Sequence, residues 1–141
     1  MTFLLDTNVV SELKKIGKGT ADENVVSWVD TIPSTQIFIS VVTVEEIEIG
    51  VLRMERRDSV QGKALRTWLE DRVLDAFAER IVPVDLHVAR RSAHLTVPDV
   101  RPFRDTLIAA TALVHGMTVV TRNERDFRGT GVSILNPWKF K

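Results

Sequence analysis

Cysteine is absent from this 141-residue chain, and so is any net charge, since nineteen Lys and Arg balance nineteen Asp and Glu. The first absence excludes structural disulfides and thiolate zinc sites and fits a reducing compartment. The second excludes long-range attraction of the whole molecule to nucleic acid, so any such binding must use a local basic patch. No stretch approaches the ~20 apolar residues of a membrane span. The N-terminal apolar run meets Asp6 too soon for a signal peptide. Internal repeats and low-complexity segments are missing as well. The three histidines, His87, His94 and His115, form no HxH or HxxxH pair, which leaves them as surface or capping residues. These absences together lead to the expectation of a soluble cytoplasmic protein.

What remains is ordinary globular composition, 44% hydrophobic and 27% charged, in a length that suits one domain over residues 1–141. Short β-rich runs stand at 3–5, 37–40, 81–84, 118–121 and 132–135. Helical patterns lie between them at 8–16, 23–31, 42–57, 60–78, 86–95 and 103–115. Strands that alternate with helices, and that are apolar throughout, predict a parallel sheet covered on both faces. In such a sheet the end of each strand and the start of the next helix share one edge, where ligand sites form.

Acids arrive at that edge repeatedly. In "FLLDTN", Asp6 follows directly on the first strand; it suits a helix cap or a metal ligand equally well. In "VVTVEEIEIGVLRM" the apolar stripe is Val44, Ile47, Val51 and Met54. Glu46 lies off it, in a row with Thr43 and Gly50, while Glu45 and Glu48 read as solvated surface. In "PFRDTLIAATALVHG", a nearly apolar helix predicted to be buried, Asp105 occupies the first turn, where the helix dipole alone would favour an acid. In "TVVTRNERDF", Asn123 and Asp126 follow the next strand, and a capping-box arrangement accounts for them without function. Each acid thus has a structural explanation. Gathered on one edge they would repel one another, and a divalent cation would relieve the repulsion. Oxygen donors without Cys or His point to Mg²⁺ or Mn²⁺.

The ordered segments "LLDTNVVSE", "SVVTVEEIEIG", "RDTLIAATALVHGMTVVTRNERDF" and "ILNPW" resemble the PIN-domain ribonucleases, in particular the VapC/FitB-like toxins of bacterial toxin–antitoxin pairs. No single segment is distinctive, but their order and spacing are, from Leu4 to Trp138. The resemblance implies an α/β fold, a three-layer α/β/α sandwich around a central parallel sheet. It also implies metal-dependent endonucleolytic cleavage of RNA, a homodimer and a cognate antitoxin. The family's acidic positions carry over to Asp6, Glu46 and Asp105. The fourth falls on Asn123, an amide where some relatives carry an acid; Asp126 would then supply the charge, or Asn123 would ligate through its carbonyl oxygen or a water. Catalytic acids are accordingly Asp6, Glu46, Asp105 and Asp126, with Asn123 an added metal ligand.

Arg101 and Arg104 beside Asp105, and Arg122, Arg125 and Arg128 beside the fourth cluster, are the candidate RNA phosphate contacts; a solvated basic rim is the alternative. Trp28, Ile49 and Leu52 offer an apolar groove for an antitoxin helix, although core packing is the stronger expectation for most of those side chains. Trp68 and Trp138 read as packing residues. A receiver-type signalling domain would need an acidic pair after the first strand and a lysine after a late one, and both are lacking. A non-catalytic PIN-like module that binds nucleic acid or protein is the remaining rival, since Asn123 thins the acidic set.

Overall fold

The computed structural model describes residues 1–141. Five strands, β1 (Phe3–Leu5), β2 (Ile37–Ser40), β3 (Ile81–Val82), β4 (Thr118–Val120) and β5 (Ile134–Leu135), form one sheet in the order β3-β2-β1-β4-β5. Every pairing is parallel. The helices are α1 (Thr7–Lys14), α2 (Glu23–Asp30), α3 (Val41–Arg57), α4 (Ser59–Thr67), α5 (Leu86–Thr96) and α6 (Phe103–His115).

The pleat of the strands divides the core in two. Phe3, Leu5, Ile37, Ile39 and Val120 face one layer, together with Val9, Trp28, Ile47, Val51 and Leu69. Leu4 and Val119 face the other, with Ile108, Ala109, Ala112 and Phe127. Alternate residues of a strand point to opposite faces, so a strand covered on both sides must be apolar at every position. This is the three-layer α/β/α sandwich expected of the sequence. α6 is less enclosed than its apolar composition implies. Its Thr106 and Ile108–Ala112 are buried, but Phe103 is 73% exposed and Val114 39%.

The long helix expected over 60–78 is in fact two pieces. α4 ends at Thr67, and the chain continues in a wider π-helical turn over Trp68–Leu74. Leu69 and Val73 of this turn are both in the core, and the widening itself leaves no mark in a pattern read at 3.6 residues. Trp28 follows the core-packing reading. It is 2% exposed and packs edge-to-face on Phe3 with ring centroids 5.3 Å apart, so it belongs to the core and lines no groove. The apolar hollow on that side lies elsewhere, over Val10, Leu13, Ile16, Trp68 and Phe77.

Two details of the helical layer escaped the sequence reading. Glu12, buried in α1, accepts the Asp22 N–H at 2.8 Å and a 3.1 Å contact from Lys15 Nζ. It thereby holds the polar connection between α1 and α2, and these bonds draw its carboxyl below the usual range. Gly62 lets α4 pack directly on α3, for a Cβ at this position would lie 2.5 Å from the Glu55 Cα and 2.9 Å from its nitrogen. Neither atom can yield without moving the helix. Gly62→Ala is therefore expected to destabilise the protein by about 1–3 kcal/mol, the usual cost of overpacking. Urea denaturation measures it, and an unchanged or raised midpoint would show that the two helices can separate freely.

Candidate active site

Strand order reverses between β1 and β4, which are neighbours although β1 opens the chain and β4 comes late. Crevices beyond the carboxyl ends of strands form at such a reversal. The register pairs Leu5 with Val120, so the next residues, Asp6 and Thr121, emerge side by side.

Asp6 is 9% exposed and heavily bonded. Its Oδ1 accepts the Thr7 N–H at 2.8 Å, which makes Asp6 itself the N-cap of α1. Its Oδ2 accepts the Thr121 hydroxyl at 2.8 Å and Asn8 Nδ2 at 3.2 Å. Asn8 Oδ1 in turn accepts the Arg122 N–H at 3.1 Å, and Thr121 Oγ1 accepts the Asn123 N–H at 3.0 Å. Of the two readings open for Asp6, the cap is therefore realised, and Asn8 and Thr121 orient the carboxylate. Burial raises the Asp6 carboxyl above its ordinary value against the opposing pull of these hydrogen bonds.

Glu46 sits in the second turn of α3. Thr7 Oγ1 donates to its Oε1 at 3.1 Å, and Arg104 Nη1 stands 3.9 Å from its Oε2. Desolvation pushes its pKa up, the Thr7 bond lowers it and the Asp6 charge raises it further. Glu48 is held on the outer face by Arg66 at 2.6 Å and Glu45 is exposed, in line with their reading as surface. At the start of α6, Asp105 is raised to about 6, first by desolvation and then by the charges of Asp126, Asp6 and Glu46, with Arg101 opposing. No hydrogen bond offsets this.

After β4, Glu124–Asp126 forms a single 3-10 turn with Asn123 at its N-cap. The Asn123 side chain makes no capping bond, so the capping-box explanation of this pair fails. Asp6, Glu46, Asp105, Asn123 and Asp126 instead line one cleft of about 380 Å³, with Thr7, Asn8 and Ser11 between them and no apolar residue. Sequence reasoning missed Thr121 and Ser11. Matching polar residues just past two paired strands would have signalled the first, and spacing one turn beyond Thr7 on α1 the second.

No three acidic or histidine side chains are gathered closely enough to chelate an ion between them. The donor set nevertheless fits a hard cation that keeps most of its waters and takes one or two carboxylates directly, as Mg²⁺ does. The mutual repulsion recorded at Asp105 is what such a charge would relieve.

Of the candidate phosphate contacts, Arg104 is drawn towards Glu46 and Arg101 towards Asp105. The Arg122 guanidinium lies over the Trp138 ring, 5.1 Å from its centroid. Arg122, Arg125 and Arg128 line a second hollow of about 520 Å³ beside the acidic cleft.

Because Asp105 holds its proton more tightly in the folded chain than its ordinary 3.8, ionising it costs stability as pH rises from about 4 to about 6. Asp105→Asn removes that cost. In chelator the variant should melt above the wild type at pH 7 and level with it near pH 4, as read by differential scanning calorimetry. A variant less stable at pH 7 would mean that Asp105 is a structural anchor.

Comparison with known proteins agrees with this architecture. The family model described as PIN domain matches residues 3–132. The VapC ribonuclease Y4jK of Sinorhizobium fredii is 38% identical, over 97% of this chain and 98% of the relative. Toxin FitB of Neisseria gonorrhoeae is 36% identical, over 96% and 98%. The crystal structure of FitAcB from Neisseria gonorrhoeae superposes with a TM-score of 0.86 at 34% identity, covering 99% of this chain and all of the other, 100%. With the acids of its cleft at the strand reversal and this match over most of its length, the chain belongs to the PIN-domain family.

Proposed function

We propose that this protein, as a single PIN domain, is a Mg²⁺- or Mn²⁺-dependent endoribonuclease and the toxin of a toxin–antitoxin pair. The observation that carries the proposal is the convergence of Asp6, Glu46, Asp105 and Asp126, with Asn123, in one polar cleft. The names borne by its relatives, a VapC ribonuclease and the toxin FitB, support the same reading.

Asp6 and Asp105 are assigned as direct metal ligands, Glu46 as a ligand directly or through water, and Asn123 and Asp126 as the side of the cleft nearest the leaving oxygen. Bound there, the cation would supply a Lewis acid that activates water and neutralises charge on the phosphate. The protein's own contribution is position. Thr121, Asn8 and the Thr7 N–H fix the Asp6 carboxylate, and the Thr7 hydroxyl fixes Glu46. A ligand already oriented loses little freedom on binding, which is the use of such supporting bonds. Asp105, tethered by no hydrogen bond, is the acid left to adjust towards the cation or to hold a proton. Arg101, Arg104, Arg122 and Arg125 surround the cleft and suit the RNA backbone, which an acidic pocket would otherwise repel.

The partners follow the relatives. A toxin–antitoxin complex from Klebsiella pneumoniae and FitAB bound to a DNA fragment share this fold, and we assign this chain a cognate antitoxin and a homodimeric state. A cytoplasmic site of action accords with an RNA substrate, and no helix is long and apolar enough to cross a membrane. Asn123 in the fourth acidic position and the loosely spaced donors favour a second reading, a module that binds nucleic acid or protein with weak catalysis.

Cleavage of an RNA pool by the purified protein separates the two. Activity should require Mg²⁺ or Mn²⁺, vanish in chelator and fall at least about 100-fold in Asp6→Asn and in Asp105→Asn, equivalent to about 2.7 kcal/mol of transition-state stabilisation. Equal cleavage by both variants and the wild type would overturn the nuclease assignment.

A further inference from the structure

The second hollow shares Asn123 and Asp126 with the acidic cleft, so the two are contiguous. Its lining is wholly polar: Arg122, Asn123, Glu124, Arg125, Asp126 and Arg128. A basic chamber opening onto an acidic one, through two shared residues, is an arrangement that solvated surface charge does not require.

The charges of this chamber are sorted. Glu124 is taken up from outside, where Lys139 Nζ reaches its Oε2 at 2.6 Å and Asn136 Nδ2 donates to the same oxygen at 3.0 Å. Asp126 faces the cleft closely enough to raise the pKa of Asp105 and of Asp6. No ion pair engages Arg122, Arg125 or Arg128. Arg122 and Arg125 therefore remain without an acidic partner, while Arg128 stands near enough to Glu124 to help lower its carboxyl, in a chain whose overall charge is zero.

The chamber is also built on a firm base. Phe127, between Arg125 and Arg128, is 1% exposed in the core, and the Thr130 hydroxyl donates to its carbonyl at 2.6 Å. Arg122 is held at its backbone by Asn8 and at its guanidinium plane by Trp138, which leaves the N–H edge of the guanidinium available. Arg101 lies against Gly129, just past Arg128. Its Nη2 lies 2.7 Å from where a Cβ of Gly129 would stand, so that glycine, at φ +82°, leaves space for the guanidinium.

We propose that Arg125 and Arg128, with Arg122, form a subsite for a backbone phosphate adjacent to the scissile linkage, on the Asp126 side of the cleft. The proposal rests on the ribonuclease reading and adds to it a definite substrate requirement: a single-stranded stretch carrying a charged phosphate on one flank of the cut. The flanking phosphate anchors the strand by charge-assisted hydrogen bonds, and the scissile one is thereby delivered into a pocket of like charge. Arg104, by contrast, is drawn to Glu46 inside the cleft itself.

The test uses single-stranded RNA oligonucleotides in which one phosphate at a time, on either side of the cut, is replaced by an uncharged methylphosphonate. Binding is measured by fluorescence anisotropy in chelator, and kcat and KM are measured with Mn²⁺, for the wild type and for Arg125→Ala/Arg128→Ala. Both side chains are exposed, and circular dichroism checks the fold of the variant. Neutralising one particular flanking linkage should weaken wild-type binding about tenfold and variant binding less than about twofold, the coupling expected of a direct charged contact. The kinetic loss should fall on KM. Equal losses in both proteins at every linkage would overturn the subsite. Coupling without any cleavage would keep the subsite and remove the nuclease reading; cleavage without coupling would do the reverse. Failure to bind RNA at all would remove both.

Discussion

The cleft depends on one polar clasp, the contact of the Thr121 hydroxyl with the Asp6 carboxylate across the reversal in strand order. Both residues lie just beyond paired positions of β1 and β4, and the hydroxyl donates to Asp6 while accepting the Asn123 N–H. Asn8 closes the same clasp from α1 by bonding to Asp6 and to the Arg122 N–H. Through these few bonds the first strand, the first helix and the loop after β4 share one geometry. Capping and ligation are then compatible roles for Asp6, because two carboxylate oxygens offer about four acceptor positions. The bonds from Thr7, Thr121 and Asn8 use three of them and leave one for a cation.

Around that clasp the protein keeps like charges together and unlike charges nearby. Total charge is zero, yet the acids concentrate in the cleft and unpaired arginines in the adjoining hollow. Each arrangement costs energy alone. The acids repel and are partly desolvated, which is why Asp105 rises to about 6 and Asp6 and Glu46 move in the same direction. Clusters of this kind gather where charge is to be bound rather than where a fold needs strength. On the proposed function a cation would answer the first cluster and a polyanion the second, and an RNA phosphate held beside a divalent ion would satisfy both.

Much of this was legible in the sequence, and the limits have physical causes. The strands were visible because burial on both faces makes them continuously apolar, and α6 was visible from its Ala-rich run and its His115-Gly116 ending. Asp6, Glu46 and Asp105 were legible as a group because parallel topology sends strand ends and helix starts to one edge. Thr121 was not, since a threonine after "TVV" is ordinary strand material until its register with Leu5 is known. Gly62 and Glu12 act through close approach and a long-range backbone bond, which no local pattern records. The π-helical turn at Trp68–Leu74 departs from the period by which helices are read. Core packing was the favoured reading of Trp28, but its partner Phe3 was not legible, because a half-apolar helix does not reveal which element covers it.

A cation site formed by these carboxylates at the strand reversal can be seen directly by anomalous X-ray scattering at the manganese edge from crystals grown with Mn²⁺. A peak is expected at bonding distance, about 2.0–2.3 Å, from carboxylate oxygens of both Asp6 and Asp105. A peak bound elsewhere on the molecule, or none at saturating Mn²⁺, would contradict it.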